Sequence, residues 1–316
     1  MDYRKLAGMM CAGIVGTVLI VCGAAAAAPF AATPAPGFYR MMLGDFEITA
    51  LSDGTLQLSH ETLLTHVTRA QLQRALQRAF ARDPVTTSVN GFLINTGAKL
   101  VLVDTGTGTG GGTTLGKLLS NLRASGYQPE QVDEIYITHM HGDHIGGLLA
   151  GDKAAFPNAI VRADKREAGY WLSEQSMNAA TPDRRESFQR AMAVFKPYIA
   201  AGHFKTFDGD AELVPGIRAV ATYGHTPGHA NYVIESRGEQ LVLWGDLMHS
   251  AAVQFADPAV TIKFDSDPVA AAAQRRKAFA DAARRGYWVG AAHLPFPGLG
   301  HLGTAGKGYR WVQAGP

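Results

Sequence analysis

The chain has 316 residues, 47% of them hydrophobic and 18% charged, with 36 glycines, 11 histidines and 2 cysteines. That length can bury a sizeable core as one large domain or two ordinary ones, and the hydrophobic share excludes a disordered chain. A formal charge of +2 is too small to mark a nucleic-acid partner, and with Cys11 and Cys22 as its two cysteines the chain beyond residue 22 holds no disulfide, thiolate ligand or cysteine nucleophile.

Arg4 and Lys5 precede an uncharged stretch from Leu6 to Ala28 that ends in an alanine run. A basic start, an apolar centre and small residues predict a cleavable export signal over residues 1–28, and hence a periplasmic or secreted protein with no membrane segment after cleavage. The alternative is an uncleaved anchor, since about 20 apolar residues can span a bilayer. Gly8, Gly13, Gly16 and Gly23 weaken that reading. Residues 29–40, with Pro34 and Pro36, read as a leader, and residues 41–316 as one domain.

Residues 46–51 and 55–59 flank Asp53-Gly54, the signature of a hairpin. Residues 68–81 have the period of an amphipathic helix that places Leu72, Leu76 and Phe80 on one face. Strands are predicted over 87–95 and 99–104, then a glycine-rich loop over 106–112, a helix over 114–124 and a strand over 132–138. Helices over 165–171 and 184–200 follow, then strands over 216–223, 230–235 and 240–244. Residues 268–285 read as a helix with Arg275-Arg276-Lys277 on a solvated face, before strands over 287–292 and 309–312. Two groups of strands, each followed by helices, predict an α+β fold of two packed sheets with helices outside, an αββα sandwich.

Two motifs in the glycine-rich segment mislead. Gly106-Thr107-Gly108-Thr109-Gly110-Gly111 matches a dinucleotide-binding GxGxxG, but the strand before it ends in Asp104, and Asp133 opens the next strand instead of closing it. Gly111 to Lys117 imitates a phosphate-binding loop, yet Leu118 stands where the magnesium-binding hydroxyl belongs.

His139-Met140-His141-Gly142-Asp143-His144 has the form HxHxDH and follows directly on an apolar strand. Imidazoles and a carboxylate on one short turn, with glycines at 142, 146 and 147 to permit tight backbone paths, can face two adjacent metals. A helix would splay positions i and i+2 apart. The motif resembles that of the metallo-β-lactamase superfamily, and three later segments resemble that family's in order. Gly224-His225-Thr226-Pro227-Gly228-His229 is similar to its second ligand loop, and Leu243-Trp244-Gly245-Asp246 to its strand ending in a bridging aspartate. Ala291-Ala292-His293 is similar to its last ligand strand.

The resemblance implies that His139, His141 and His225 hold one metal, that Asp143, His144 and His293 hold another, and that Asp246 bridges them. Nitrogen and oxygen donors without sulfur suit two zinc ions, with manganese, iron and cobalt left open. Asp104 resembles the family's strand-end aspartate, which orients a ligand from behind. His229 is either such a partner or a structural loop residue. His60, His66, His203 and His301 are expected to be surface or satisfied polar residues.

Two metals about 3.5–4 Å apart can share a water, lower its pKa toward ~7 and present hydroxide to an ester, lactone or phosphotriester. Asp143 and Asp246 would then be the catalytic carboxylates. Within the superfamily, β-lactamases proper lack the bridging aspartate, and the nuclease branch adds a domain and a basic RNA surface. Glyoxalase II-like thioesterases carry a helical domain for which the 70 residues after Asp246 are too few.

Longer local matches resemble the methyl parathion hydrolase-like group and its lactonase relatives. They are Val214-Pro215-Gly216-Ile217, Gly224–His229, Ala251-Ala252-Val253-Gln254-Phe255, His293-Leu294-Pro295-Phe296-Pro297-Gly298 and Gly306-Lys307-Gly308-Tyr309-Arg310. That group hydrolyses aryl esters, lactones or organophosphate triesters in a hydrophobic pocket. Trp171, Phe188, His249, Ile262 and Phe264 are its candidate walls here. A polar His249 and a bulky Phe264 predict a narrow mouth, and so an aryl lactone or ester as substrate with organophosphate turnover as a side activity. The competing readings are a main organophosphate hydrolase or acyl-homoserine lactonase and, from another class, a non-catalytic metal-binding protein. No nucleic-acid partner is expected, and a homodimer is left open.

Overall fold

A computed structural model describes residues 35–315, together with Ala28 and Phe30. Nearly all of the segment read as an export signal therefore lies outside the described residues. Among the described residues, no helix is long and apolar enough to cross a membrane.

Among the described residues, fourteen strands build two seven-stranded sheets, and chain order equals spatial order in each. The first sheet holds β1 (Phe38–Leu43), β2 (Phe46–Leu58), β3 (Val85–Asn95), β4 (Leu100–Val103), β5 (Glu134–Tyr136), β6 (Ile160–Asp164) and β7 (Phe204–Phe207). Its first four strands are antiparallel neighbours, while β4 through β7 run parallel. The second holds β8 (Ala211–Val214), β9 (Ile217–Ala221), β10 (Ala230–Ser236), β11 (Glu239–Leu243), β12 (Trp288–Gly290), β13 (Leu299–Ala305) and β14 (Gly308–Gln313), antiparallel except for β11 beside β12. The helices of seven residues or more among the described residues are α1 (Arg69–Arg78), α2 (Leu118–Ala124), α3 (Lys165–Trp171), α4 (Pro182–Ala200) and α5 (Pro268–Arg285).

Side-chain alternation along the strands fills three apolar layers. Leu100 and Leu102 of β4 face a layer with Leu118, Phe188 and Phe195 of the helices, while Val101 and Val103 face the other sheet. Burial on both faces is why β4 reads as an unbroken apolar run, Leu-Val-Leu-Val. Leu241 and Leu243 of β11 meet the first sheet, whereas Val242 points out to Phe279 and Ala282 of α5. Helix, sheet, sheet and helix layers make the expected αββα sandwich.

Four local expectations change. Asp53-Gly54 is no hairpin: β2 runs through it as one strand, with a bulge between Ser52 and Gly54. Bulges and tight turns both want a glycine at positive φ, and Gly54 has φ +125°. Phe80 is not on the apolar face of α1. The helix ends at Arg78, Phe80 turns to φ +53°, and its side chain is 99% exposed. Arg275 is not solvated either. It is fully buried, donating to the carbonyls of Leu247, Pro258 and Val260, with Asp265 at 3.8 Å. Finally, β1 starts at Phe38, so the sheet begins inside the segment read as leader.

Candidate metal centre

The last residues before the centre come from β5, which parallel neighbours hold in the interior of the first sheet. The chain then turns at Thr138, and His139 to His144 fold into a turn capped by a short helical segment, Gly142–Ile145. The glycine-rich loop packs on this turn. A Cβ on Gly108 would lie 2.3 Å from the Gly146 carbonyl, so close approach, and not a bound nucleotide, accounts for glycine there. The buried Asp53 carboxylate clamps the same loop, accepting from Thr107 N, Thr107 Oγ1, Gly116 N and Leu118 N.

His139, His141, His225 and Asp246 each bring one donor atom to within 4.8 Å of the others, and so do Asp143, His144 and His293. In the first group His141 Nδ1 is 3.0 Å from His139 Nε2 and 3.1 Å from His225 Nε2. In the second, Asp143 Oδ2 is 3.5 Å from His293 Nε2 and 3.7 Å from His144 Nε2. Asp246 joins them. Its Oδ2 lies 3.3 Å from His225 Nε2 and 3.5 Å from His139 Nε2, and its Oδ1 lies 3.1 Å from both His144 Nε2 and His293 Nε2.

The far nitrogen of most of these rings is anchored. His144 Nδ1 meets Asp104 Oδ2 at 2.8 Å, His225 Nδ1 meets Asp265 Oδ1 at 2.9 Å, and His293 Nδ1 meets the Ser88 carbonyl at 2.9 Å. A proton held on Nδ1 leaves the Nε2 lone pair aimed inward, the tautomer a metal needs. Asp104 sits at φ +57° and also accepts from Thr138 N and Thr138 Oγ1, so one carboxylate sets both the turn and the His144 ring. His229 lies behind Asp246: its Nε2 accepts from Asp246 N at 3.1 Å and its Nδ1 faces Thr222 Oγ1 at 2.8 Å.

Burial and mutual proximity set the charges. Burial, with His225 adjacent, takes His141 down to about 3, and burial takes His229 to about 3 as well. Burial also lowers His225, but hydrogen bonds to Asp246 and Asp265 overcome it and lift the ring to about 9. For Asp246, burial would raise the carboxyl, yet the surrounding imidazoles, His144 and His293 foremost, hold it well below the usual carboxylate range.

The donor set fits divalent cations. Six imidazoles and two carboxylates converge, His249 grouping with Asp246 and His293, and the buried His144 Nε2 and Asp246 Oδ1, though 3.1 Å apart, are out of hydrogen-bonding geometry with any partner. Orphaned acceptors at full burial are costly unless a cation meets them. Two groups sharing one carboxylate provide for two such ions.

Residues 85–293 match the sequence pattern of the metallo-β-lactamase superfamily. The chain belongs to that superfamily. Among solved structures it is similar to the hydrolase AbOPH, at 38% identity and a TM-score of 0.86 over 90% of this chain and 99% of that one. It is also similar to AidC, a dizinc quorum-quenching lactonase bound to N-hexanoyl-L-homoserine, at 28% identity and a TM-score of 0.82 over 88% and 98%. The N-acyl homoserine lactonase of Bacillus cereus is 28% identical over 163 residues, 51% of this chain and 56% of that protein. The chain thus matches little more than half the length of that curated relative.

The cluster opens into a cavity of about 590 Å³, which meets His141, Asp143, Asp246, His249 and His293. Of the residues read as pocket wall, Trp171, His249 and Phe264 line it. Phe188 and Ile262 do not. Phe188 is fully buried behind Trp171, ring centroids 4.7 Å apart, and Ile262 is buried in a core with Leu64, Leu72 and Val260. Periodicity marks a residue as apolar without saying which apolar layer it joins. His60 also departs from expectation: it is 1% exposed, with Nδ1 3.4 Å from Ser250 Oγ and Nε2 unpartnered.

Two buried carboxylates escaped the sequence reading. Glu167 of α3 accepts from Met140 N at 2.8 Å, Thr226 Oγ1 at 2.7 Å and Gly228 N at 2.8 Å, tying together two ligand loops. Asp265 holds His225 and accepts from Ile262 N at 3.1 Å. Neither has a local motif, because each acts on partners far along the chain. Asp265→Ala is expected to weaken metal affinity about 10–100-fold, since partners behind a ligand carry that much. Competition titration with a chromogenic chelator measures it; an unchanged affinity would mean that His225 needs no support.

Proposed function

We propose that this chain is a metal-dependent hydrolase that opens lactones. The observation that carries the reading is the pair of donor groups sharing Asp246 at the floor of the 590 Å³ cavity. A cavity of that size suits a small molecule. The relatives named above include two lactonases, one of them dizinc. His139, His141 and His225 would hold one ion, Asp143, His144 and His293 a second, and Asp246 both. When bound, two such ions supply Lewis acidity to a carbonyl or phosphoryl oxygen and acidify water near neutral pH.

The protein's own part is placement. Asp104, Asp265 and the Ser88 carbonyl keep His144, His225 and His293 in the metal-ready tautomer. Asp143, its side chain 27% accessible, and His141 are the partly buried members of the donor set, so substrate approaches on their side. Leu56, Leu58, Leu63, Trp171 and Phe264 give the cavity an apolar wall against which an acyl or aryl group can dehydrate. His249 stacks on His293 with centroids 5.1 Å apart and reaches Asp246 Oδ2 at 3.0 Å, which places its ring edge beside the donor groups.

Chelation is expected to abolish hydrolysis of N-hexanoyl homoserine lactone and dihydrocoumarin, and added zinc or manganese to restore it. Persistent turnover in metal-free protein would sink the reading. With metal-quantified protein, either lactone should exceed p-nitrophenyl acetate and methyl parathion in kcat/KM. A higher value for methyl parathion would make the chain a phosphotriesterase instead. His249→Leu should shift the lactone-to-phosphotriester ratio about tenfold while metal content stays constant; no shift would remove His249 from substrate contact.

A further inference from the structure

A second cavity, about 470 Å³, lies on the outer face of the second sheet and shares no lining residue with the metal-centre cavity. Its floor is apolar: Val220 of β9, Val233 of β10, Val242 of β11 and, just past that strand, Trp244. Val233 pairs directly with Arg218 on one side and Val242 on the other, so the apolar row ends in a cation. The opposite wall is one face of α5, which contributes Lys277, Asp281, Arg284 and Arg285 at helical spacing.

The rim therefore carries four cations, Arg218, Lys277, Arg284 and Arg285, against two carboxylates, Asp281 and the Glu235 that faces Arg218 at 3.9 Å. Asp281 sits 2.5 Å from Arg284 and 3.3 Å from Arg285, which leaves both guanidiniums spare donors. Two polar atoms of the walls, Trp244 Nε1 and Gln240 Oε1, are buried without a hydrogen-bond partner. An apolar floor, unmet polar atoms and an excess of cations at the mouth describe a site for an amphipathic anion.

We propose that this groove is a second binding site, for a small carboxylate with an acyl tail: the headgroup at the Arg284, Arg285 and Lys277 rim, the tail on the valines, with the fully buried Trp244 packed against them. A second copy of the chain fits less well. A twofold interface would set this cationic rim against its own image, and like charges face to face are repulsive.

Zinc-loaded full-length protein titrated with decanoate, followed by calorimetry and tryptophan fluorescence, tests the assignment. Decanoate is expected to saturate the groove with a quench that Trp244→Phe removes, and decan-1-ol, which lacks the charge, to bind about tenfold more weakly. The double variant Arg284→Glu with Arg285→Glu changes exposed side chains and should weaken decanoate about tenfold or more, while hydrolysis of p-nitrophenyl acetate is unchanged. Decanoate binding that ignores the charge reversal, or no saturable binding at all, overturns the proposal. So does a charge reversal that splits a dimer in sedimentation, since the face would then be a self-association surface.

Discussion

Asp246→Ala is expected to lower hydrolysis by about a thousandfold or more and to take metal content down with it. The carboxylate lies within 3.5 Å of His139, His144, His225 and His293, and its two oxygens divide between the two donor groups. Its removal deletes the shared ligand and leaves the His139 and His225 Nε2 atoms without the carboxylate they face. Metal analysis of the gel-filtered variant beside kcat/KM for a lactone reads both effects. A variant that keeps two metals per chain yet loses the rate would make Asp246 a reaction group and not a ligand. One that keeps the rate would remove the centre from the reaction altogether. Circular dichroism separates either result from misfolding. Gly245, at φ +51° and with a would-be Cβ 2.8 Å from Thr138 and 2.9 Å from His229 Nε2, shows how closely the chain presses around this residue.

Glu167→Ala should cost about 3–5 kcal/mol of stability, a fall of about 10 °C in Tm for a chain of this size. The substitution keeps α3 helical, because alanine favours helix, so the loss reports the carboxylate alone. Three buried donors, Met140 N, Thr226 Oγ1 and Gly228 N, would be left unmet, and a Cβ on Gly228 would already lie 2.2 Å from Glu167 N. Burial raises the Glu167 pKa and these three bonds oppose that rise. Because Met140 lies between His139 and His141, and Thr226 follows His225, metal affinity should fall as well. Glu167→Gln keeps an acceptor but turns an NH2 toward one donor pair, and belongs between the two. A Tm within 2 °C of the parent for Glu167→Ala, by about the scatter of surface substitutions, would reduce the residue to a spectator.

The helices and strands that could be read beforehand are those whose signal is local. α3 and α5 have the bounds expected from the period of their apolar residues, and β4 announces itself as four consecutive apolar residues. The Asp53-Gly54 bulge and the end of α1 before Phe80 have no distinct local signal, because a turn, a bulge and a helix stop use the same residue chemistry. β6, β7 and β13 gave no period strong enough to mark them.

The site divides along the same line. HxHxDH places imidazoles and carboxylate within six residues, so its metal chemistry is carried by residue type and spacing, and the later histidines and Asp246 follow from family resemblance. Which side chains stand behind them is another matter. Glu167 reaches Gly228 across 61 residues, Asp265 reaches His225 across 40, and Arg275 spans 28 to the Leu247 carbonyl. Phe188 and Ile262 are as apolar as Trp171 and Phe264, yet one pair is core and the other pair lines the cavity. Residue type and spacing along the chain thus mark the HxHxDH cluster and the strand and helix pattern of the sandwich, and family resemblance adds the later donors. Burial and the satisfaction of polar groups depend on partners brought from distant segments, so packing alone assigned the carboxylates that aim the ligands and the side chains that shape the pocket.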